Sequence, residues 1–505
     1  MAKITILASS DVHGSIFPYS YADKHQTNSG LASLKTLIDS LRDENTIVID
    51  NGDCIEGSPL MFYHFKNYRD EVTPVTKGMN EINYDFVNVG NHDFNYGSEI
   101  LFRHLDNLNA PCLTCNILYH GKSLGPRYLI KEVAGKKLAF IVTCTQHIPN
   151  WEAPANIEGF EFLDCYETTK EVIAEIKEKE DVDYIIAVYH GGFEIGPESE
   201  EVNGVLDGEN EGYSLMRDLD IDILIAGHTH QSLHGKKFNT VYTETRPDGE
   251  ALAKITIDTE TNEIKEEIIE VNNEADPSIL ALAQKEEDEC QEWLDTTLGI
   301  SKVNLKIDDE FDARLHKSQL ITFLNKVEFD VTGADLAANA LFLRAVGFKE
   351  SISMRDLIST YVFPNTLVVK EIDGKNLRLY LEKCAEFWGL DANGEIIVAP
   401  SHDFPHPQHY NYDMLDGVDY TIKVSQPIGQ RIIELKYKGK DVKDDDKFTL
   451  AINNYRASGG GNFDMIKECK MVKDIQRSMV DILAEWIMEH QVIDFEPVNN
   501  IKVIK

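Results

Sequence analysis

Five short apolar runs in the first half of the chain each end on a polar cluster. They are ITILASSDVHG (Asp11, His13), TIVIDNGD (Asp53), DFVNVGNHD (Asn91, His92), YIIAVYHGG (His190) and IDILIAGHTH (His228, His230). A β-branched run followed at once by Asp, Asn or His reads as a strand whose carboxyl end opens into a site. Between the runs, GLASLKTLIDSLRDE sets Leu31, Leu34, Leu37, Ile38 and Leu41 on a helical period, and ETTKEVIAEIKEKEDVD repeats that pattern with a Lys/Glu outer face. Strands alternating with helices up to about residue 270 predict a layered α/β domain with ligands at its strand ends. Near its end, apolar and polar positions alternate around Pro247-Asp248-Gly249 and Thr261-Asn262, the pattern of hairpins.

The segment NEADPSILALAQKEEDECQEWLDTTLG then predicts a helix over 276–298, opened by Asp276-Pro277 and stopped by Gly299. The acids between Glu286 and Glu292 mark it as an exposed connector. The chain thus divides into a first domain over 1–272, a connecting helix over 273–300 and a second, α+β domain over 301–505. In that second domain TLVVKEI, YTIKVS, IIELKYKG and FTLAINNY are the strand candidates.

Charge narrows the partners. Asp and Glu number 86 against 49 Lys and Arg, a formal charge of −37. Such a chain has nothing to neutralise a long polyphosphate backbone, so nucleic acid is excluded as a partner. A small anionic substrate then needs local positive charge, and bound metal ions are the obvious source. No window reaches the ~18 uninterrupted apolar residues of a membrane span. Met1 runs almost directly into the first strand with no signal-like segment before it. The eight cysteines follow no disulfide framework, and Cys112, Cys115, Cys144 and Cys384 lie in or beside apolar runs. Both features predict buried thiols and a cytoplasmic location.

The five clusters hold only oxygen and imidazole ligands. Asp11 and His13, two apart after a strand, can turn toward one ion. Asp53 follows Gly52, which lets backbone come close, and its two oxygens suit it to bridge two cations. Asn91 offers an amide oxygen, and His190, His228 and His230 complete the set. Mixed Asp/Asn/His ligation without thiolate favours Mn, Fe, Zn or Co over Mg or Ca. Each histidine alone is as easily a buried structural residue; all of them in order at strand ends point to a two-metal hydrolase.

D-x-H, GD, GNHD, H-G-G and GHTH in this order resemble the calcineurin-like metallophosphoesterase superfamily. The resemblance implies a β-sandwich flanked by helices in four layers, and a bridged metal pair that binds a phosphoryl group and activates hydroxide for in-line attack. It implies that Asp11, His13, Asp53 and His230 hold one ion and that Asp53, Asn91, His190 and His228 hold the other. His92 resembles the family's catalytic histidine, which stabilises the phosphoryl group and assists the leaving oxygen.

The likeness extends through GDCIEGSPL to the nucleotidase branch, in which a C-terminal nucleoside-binding domain follows the metal domain and a domain rotation carries substrate to the metals. 5′-Nucleotidases typically read Asp three residues after the catalytic histidine, where GNHDFNYG has Asn95, and usually carry Asp where this chain has Gly461. YVFPNTLVV, HYNYDMLDGVDYTIKVSQPIGQRI and NNYRASGGGNF are similar to the 2′,3′-cyclic-nucleotide 2′-phosphodiesterase/3′-nucleotidases. That likeness implies a base-binding role for Tyr455, before the Ser458-Gly459-Gly460-Gly461 loop, with Tyr410 or Tyr412 as the opposing face of a stacking clamp. Arg456 and Asn454 fit either substrate contact or loop scaffold. The alternatives are a 5′-nucleotidase or UDP-sugar hydrolase, a non-nucleotide phosphoesterase, and a nucleotide-binding protein with an inactive metal site.

Overall fold

The structure is a computed structural model that describes residues 3–150, 152–202, 206, 208–363, 365–403 and 407–505. It divides into two compact units, Met1–Cys290 and Gln291–Lys505.

Two large sheets and a small one of Lys122–Ser123, Ile117–Tyr119 and Phe160–Phe162 lie in the first unit. One large sheet runs in the order Ile264–Glu270, Ala251–Asp258, Lys3–Ser9, Thr46–Asp50, Phe86–Val87. The other runs Leu233–Lys237, Thr240–Glu244, Ile223–Ala226, Tyr184–His190, Lys136–Cys144, Leu129–Val133. Ile4, Ile6, Ile47, Ile49 and Phe86 of the first sheet pack against Phe140, Val142, Ile186, Val188 and Ile225 of the second. These are alternate positions of each strand, as two facing sheets require. The opposite face of the second sheet, with Ile141, Ala187 and Leu224, is covered by Val172 and Ile176 of the helix Cys165–Lys179 and by Leu215 and Met216. On the outer face of the first sheet Leu7 and Val48 are buried too. All five clusters follow strands that run parallel to one another within their sheet: Lys3–Ser9, Thr46–Asp50 and Phe86–Val87 in one, Tyr184–His190 and Ile223–Ala226 in the other. Parallel pairing carries their carboxyl ends to a common edge.

The helix expected after the first loop is Leu31–Leu41, with Leu31, Leu34, Leu37 and Ile38 buried. The Thr261-Asn262 turn joins a true hairpin, Ala251–Asp258 with Ile264–Glu270. The Pro247-Asp248-Gly249 turn does not. It carries the chain from Thr240–Glu244 in the second sheet across to Ala251–Asp258 in the first. Alternation is the same on both sides of such a crossing, so periodicity alone reads it as a hairpin.

The expected connector is shorter and more buried than its composition suggests. The helix is Pro277–Leu294, and Thr297–Ser301 is a strand paired with Ser351–Ser353. The Thr296-Thr297 pair, β-branched and poor in helix propensity, lies at the change. Glu286 and Glu287 are not on a solvated face. They sit in the buried stripe with Ile279, Ala283, Cys290 and Leu294. Glu286 lies 2.7 Å from His64 Nδ1, and Tyr21 donates to Glu287 over 2.7 Å.

In the second unit the main sheet runs Asp413–Asp416, Leu336–Ala340, Lys447–Asn453, Thr366–Asp373, Lys470–Ser478. A smaller one contains Ile432–Tyr437, Val418–Lys423 and Ile501–Ile504. All four strand candidates are strands. The eight cysteines are free thiols, with Cys115, Cys144 and Cys384 buried and Cys112 partly so. Among the described residues no helix is long and apolar enough to cross a membrane.

Candidate metal centre and active site

Backbone conformation sets the expected ligands apart from ordinary loop residues. Asp11 (φ 56°), His13 (50°), Asp53 (58°), His228 (74°) and His230 (58°) are all left-handed. Each such residue costs on the order of 1 kcal/mol or more, and strain of this kind gathers where side chains must be aimed. The loops are locked to one another. Asp11 N–H donates to Gly52 O and His13 N–H to Asp53 O, both over 2.9 Å. The Asp93 carboxylate accepts from the N–H groups of Asp53 (3.0 Å), Cys54 (2.9 Å) and Gly90 (2.8 Å). Gly90 admits no side chain, since a Cβ there would lie 2.1 Å from Asp53 Oδ1.

Two groups of ligand atoms converge, Asp11 with His13 and His230, and Asp53 with His190 and His228. Asn91 completes the second, its Oδ1 lying 3.2 Å from His190 Nε2 and 2.8 Å from His228 Nδ1. All seven expected ligands are thus brought together. Asp11, Asp53 and His190 are essentially fully buried, whereas His230 is exposed.

Hydrogen bonds decide which ring nitrogen faces the centre. His13 Nδ1–H donates to the Glu56 carbonyl (3.1 Å) and His190 Nδ1–H to that of Asn51 (2.7 Å). In the neutral rings each Nε2 is left with a lone pair. His13 Nε2 then faces His230 Nε2 at 3.0 Å, and His190 Nε2 faces Asp53 Oδ2 at 3.1 Å. That Asp53 oxygen is buried and accepts no hydrogen bond. With neutral rings acceptor would face acceptor at such range, which is unfavourable without a cation between them, a proton or a metal ion, and the donor set fits a pair of divalent ions.

The fields point the same way. Burial works against charge on Asp53, but the His190 and His92 imidazoles hold its pKa well below the carboxylate range. Burial disfavours a charged His190, yet the Asp53 and Asp11 carboxylates outweigh it and push its pKa up to about 10. The cluster calls for positive charge.

His92 lies at the rim, half-buried, with its backbone N–H on Asp53 Oδ1 at 2.7 Å. Its Nδ1 lies 2.8 Å from Asn95 Oδ1 and 3.3 Å from Glu56 Oε2. The imidazole's partners are therefore Asn95 and Glu56, while Asp93 spends both oxygens on backbone. Sequence reasoning missed Glu56, three residues beyond Asp53. It also missed Glu209, whose Oε1 is 3.1 Å from His228 Nε2 and so leaves Nδ1 to face the centre. Neither acid follows a strand directly, and only their position in space marks them.

In the second unit Tyr410 and Tyr455 are neighbours, with ring centroids 6.4 Å apart, but their planes cross at 74°. They meet edge to face, and the parallel slot expected of a clamp is not formed. Gly460 packs on the Tyr455 ring, since a Cβ there would fall 2.6 Å from ring atoms. Tyr412 is no candidate. It is fully buried and stacked on Phe387 at 4.9 Å, as a core residue. Arg456 is scaffold: buried, it binds Asp413 through Nε at 2.6 Å and lies 3.8 Å over the Phe463 ring. Asn454 is occupied as well, accepting from Thr366 N–H at 2.9 Å.

Comparison with known proteins matches residues 4–232 to the calcineurin-like phosphoesterase model and 298–468 to the 5′-nucleotidase C-terminal domain model. A putative 5′-nucleotidase from Staphylococcus aureus, solved in complex with alpha-ketoglutarate, is 33% identical with a TM-score of 0.94 and full coverage of both chains. The chain belongs to the calcineurin-like phosphoesterase family. As such it is a metal-dependent phosphoric ester hydrolase of two-domain, nucleotidase-type architecture, mixed α/β in class. A 2′,3′-cyclic-nucleotide 2′-phosphodiesterase/3′-nucleotidase of Salmonella typhimurium is 27% identical over 90% of this chain and 81% of its own length. A 5′-nucleotidase of Vibrio cholerae is 32% identical over 49% of this chain and 44% of its own.

In a phosphoesterase of this family the Glu209 contact has a measurable consequence. Glu209→Ala removes the acceptor that fixes the His228 tautomer. Affinity for the second ion is expected to fall roughly 10- to 100-fold, read by titrating apo-protein with Mn²⁺. An unchanged isotherm would mean that Glu209 does not orient His228.

Proposed function

We propose that the protein hydrolyses 2′,3′-cyclic nucleotides to 3′-nucleotides and these to nucleoside and phosphate. In this reading Asp11, His13, Asp53 and His230 would hold one divalent ion and Asp53, Asn91, His190 and His228 the other, with Asp53 as the shared ligand. When bound, such a pair supplies Lewis acidity to phosphoryl oxygens and a nucleophile from water at neutral pH. The resident metal is drawn from Mn, Zn, Fe or Co.

The observation that carries the hydrolase reading is the pair of converging ligand groups, with a buried Asp53 oxygen that accepts no hydrogen bond. His92, with Nδ1 held by Asn95 and Glu56, has Nε2 left to give a proton to the departing ribose oxygen. Tyr455 offers a ring on which the base stacks, and Tyr410 borders it. For the substrate class, support comes from Asn95 in place of the usual Asp and from the name of the Salmonella relative, which spans 90% of this chain.

The second reading is a 5′-nucleotidase, favoured by the names of the Staphylococcus and Vibrio proteins. An assay of metal-loaded protein on 2′,3′-cyclic AMP, 3′-AMP and 5′-AMP separates the two. Higher kcat/KM on the first two is expected; preference for 5′-AMP would replace the proposal with its rival. Tyr455→Ala should cost roughly 1–3 kcal/mol of stacking, a KM rise of roughly 5- to 150-fold. An unchanged KM would point to a phosphoester without a base.

A further inference from the structure

Asn95 is the feature the family pattern does not explain. An amide next to the His92 imidazole can turn either way, and the two orientations impose opposite tautomers. With its oxygen toward Nδ1, Asn95 accepts the Nδ1 proton and leaves Nε2 to exchange protons with the leaving oxygen. With its nitrogen toward Nδ1, it forces the proton onto Nε2 in the neutral ring. Something must choose between them.

Glu152 makes that choice. Its Oε2 accepts from the Asn95 amide nitrogen at 2.6 Å, while Oε1 accepts from Ala153 N–H at 2.7 Å and Asn156 Nδ2 at 2.9 Å. A carboxylate can only accept, so the Asn95 nitrogen must face it and the Asn95 oxygen must face His92. Asn156 Nδ2 also donates to the Asn95 backbone carbonyl over 2.8 Å, which closes the ring of contacts. Glu152 is buried, 7% exposed, and lies 57 residues from Asn95 in sequence. We propose that Glu152, acting through the Asn95 amide, is a positioning residue that, together with the Glu56 carboxylate 3.3 Å from Nδ1, sets the orientation and tautomer of His92. The pair does the work that a single aspartate does elsewhere in the family, with the negative charge set back by one residue. The inference rests on the reading of His92 as the proton donor to the leaving oxygen.

An exchange of groups tests it. Glu152→Gln puts an amide nitrogen against the Asn95 nitrogen and favours the wrong turn of Asn95. Asn95→Asp sets two carboxylates against each other across the same short contact. Each single change is expected to lower kcat on 3′-AMP by about tenfold or more, with KM and metal content unchanged. Combined, the introduced carboxylate accepts from His92 and the introduced amide donates to it, so the double variant is expected to return to within about threefold of the parent. On p-nitrophenyl phosphate, whose leaving group needs no proton, the single-variant losses should be at least about tenfold smaller. Singles at parental rate, or a double no better than its singles, would overturn the inference. His92→Ala is the reference: if it too keeps the parental rate, the assignment of His92 has failed, and the relay falls with it.

Discussion

Asp53→Ala is expected to abolish phosphate release, by roughly three orders of magnitude or more, and to leave the protein unable to hold two ions. Asp53 acts at both of its oxygens. Oδ1 accepts the His92 backbone N–H at 2.7 Å, which ties the catalytic loop to the centre. Oδ2 is buried without a hydrogen bond, 3.1 Å from His190 Nε2, as the shared ligation proposed for Asp53 would require. Losing the charge that both ions share forfeits several kcal/mol of phosphoryl stabilisation, and each ~1.4 kcal/mol is tenfold in rate. Elemental analysis of the loaded variant and a phosphate-release assay check this together. A variant that retains both ions would show that the bridge lies elsewhere.

His92→Ala is expected to behave in the opposite way toward metal. Among the described residues no convergent group includes the His92 ring, so ion content should stay at the parental level while kcat falls roughly 10²- to 10⁴-fold. The loss should be largest for ribose leaving groups, whose oxygen departs poorly without a proton. Near-parental turnover on 3′-AMP would mean that the catalytic role belongs to another residue.

These two outcomes separate what can be read along the chain from what only the fold discloses. The seven ligands were legible because each lies within a few residues of a strand end, and a β-branched run followed by Asp, Asn or His is a local pattern. The left-handed backbone of five of them was not legible, since nothing in ASSDVHG or AGHTH marks Asp11 or His228 for φ > 0. Nor were Glu56, Glu152 and Glu209. They reach His92, Asn95 and His228 from other loops, and a glutamate in a chain with 86 acidic residues carries no signal of its own. The same abundance misled the reading of Glu286 and Glu287, which look like a solvated helix face and are in fact buried against His64 and Tyr21. Tyr412 failed for a related reason. An aromatic two residues from Tyr410 on an extended segment fits a clamp or a core equally well, and stacking on Phe387 decided for the core.

The most direct test of the account is a titration of apo-protein with Mn²⁺ while phosphate release from 3′-AMP is followed. The two convergent groups around Asp53 predict no turnover without metal and a rise that breaks at about two equivalents per chain, absent in Asp53→Ala. A break at one equivalent, or turnover in the metal-free protein, would contradict a shared two-ion centre at these strand ends.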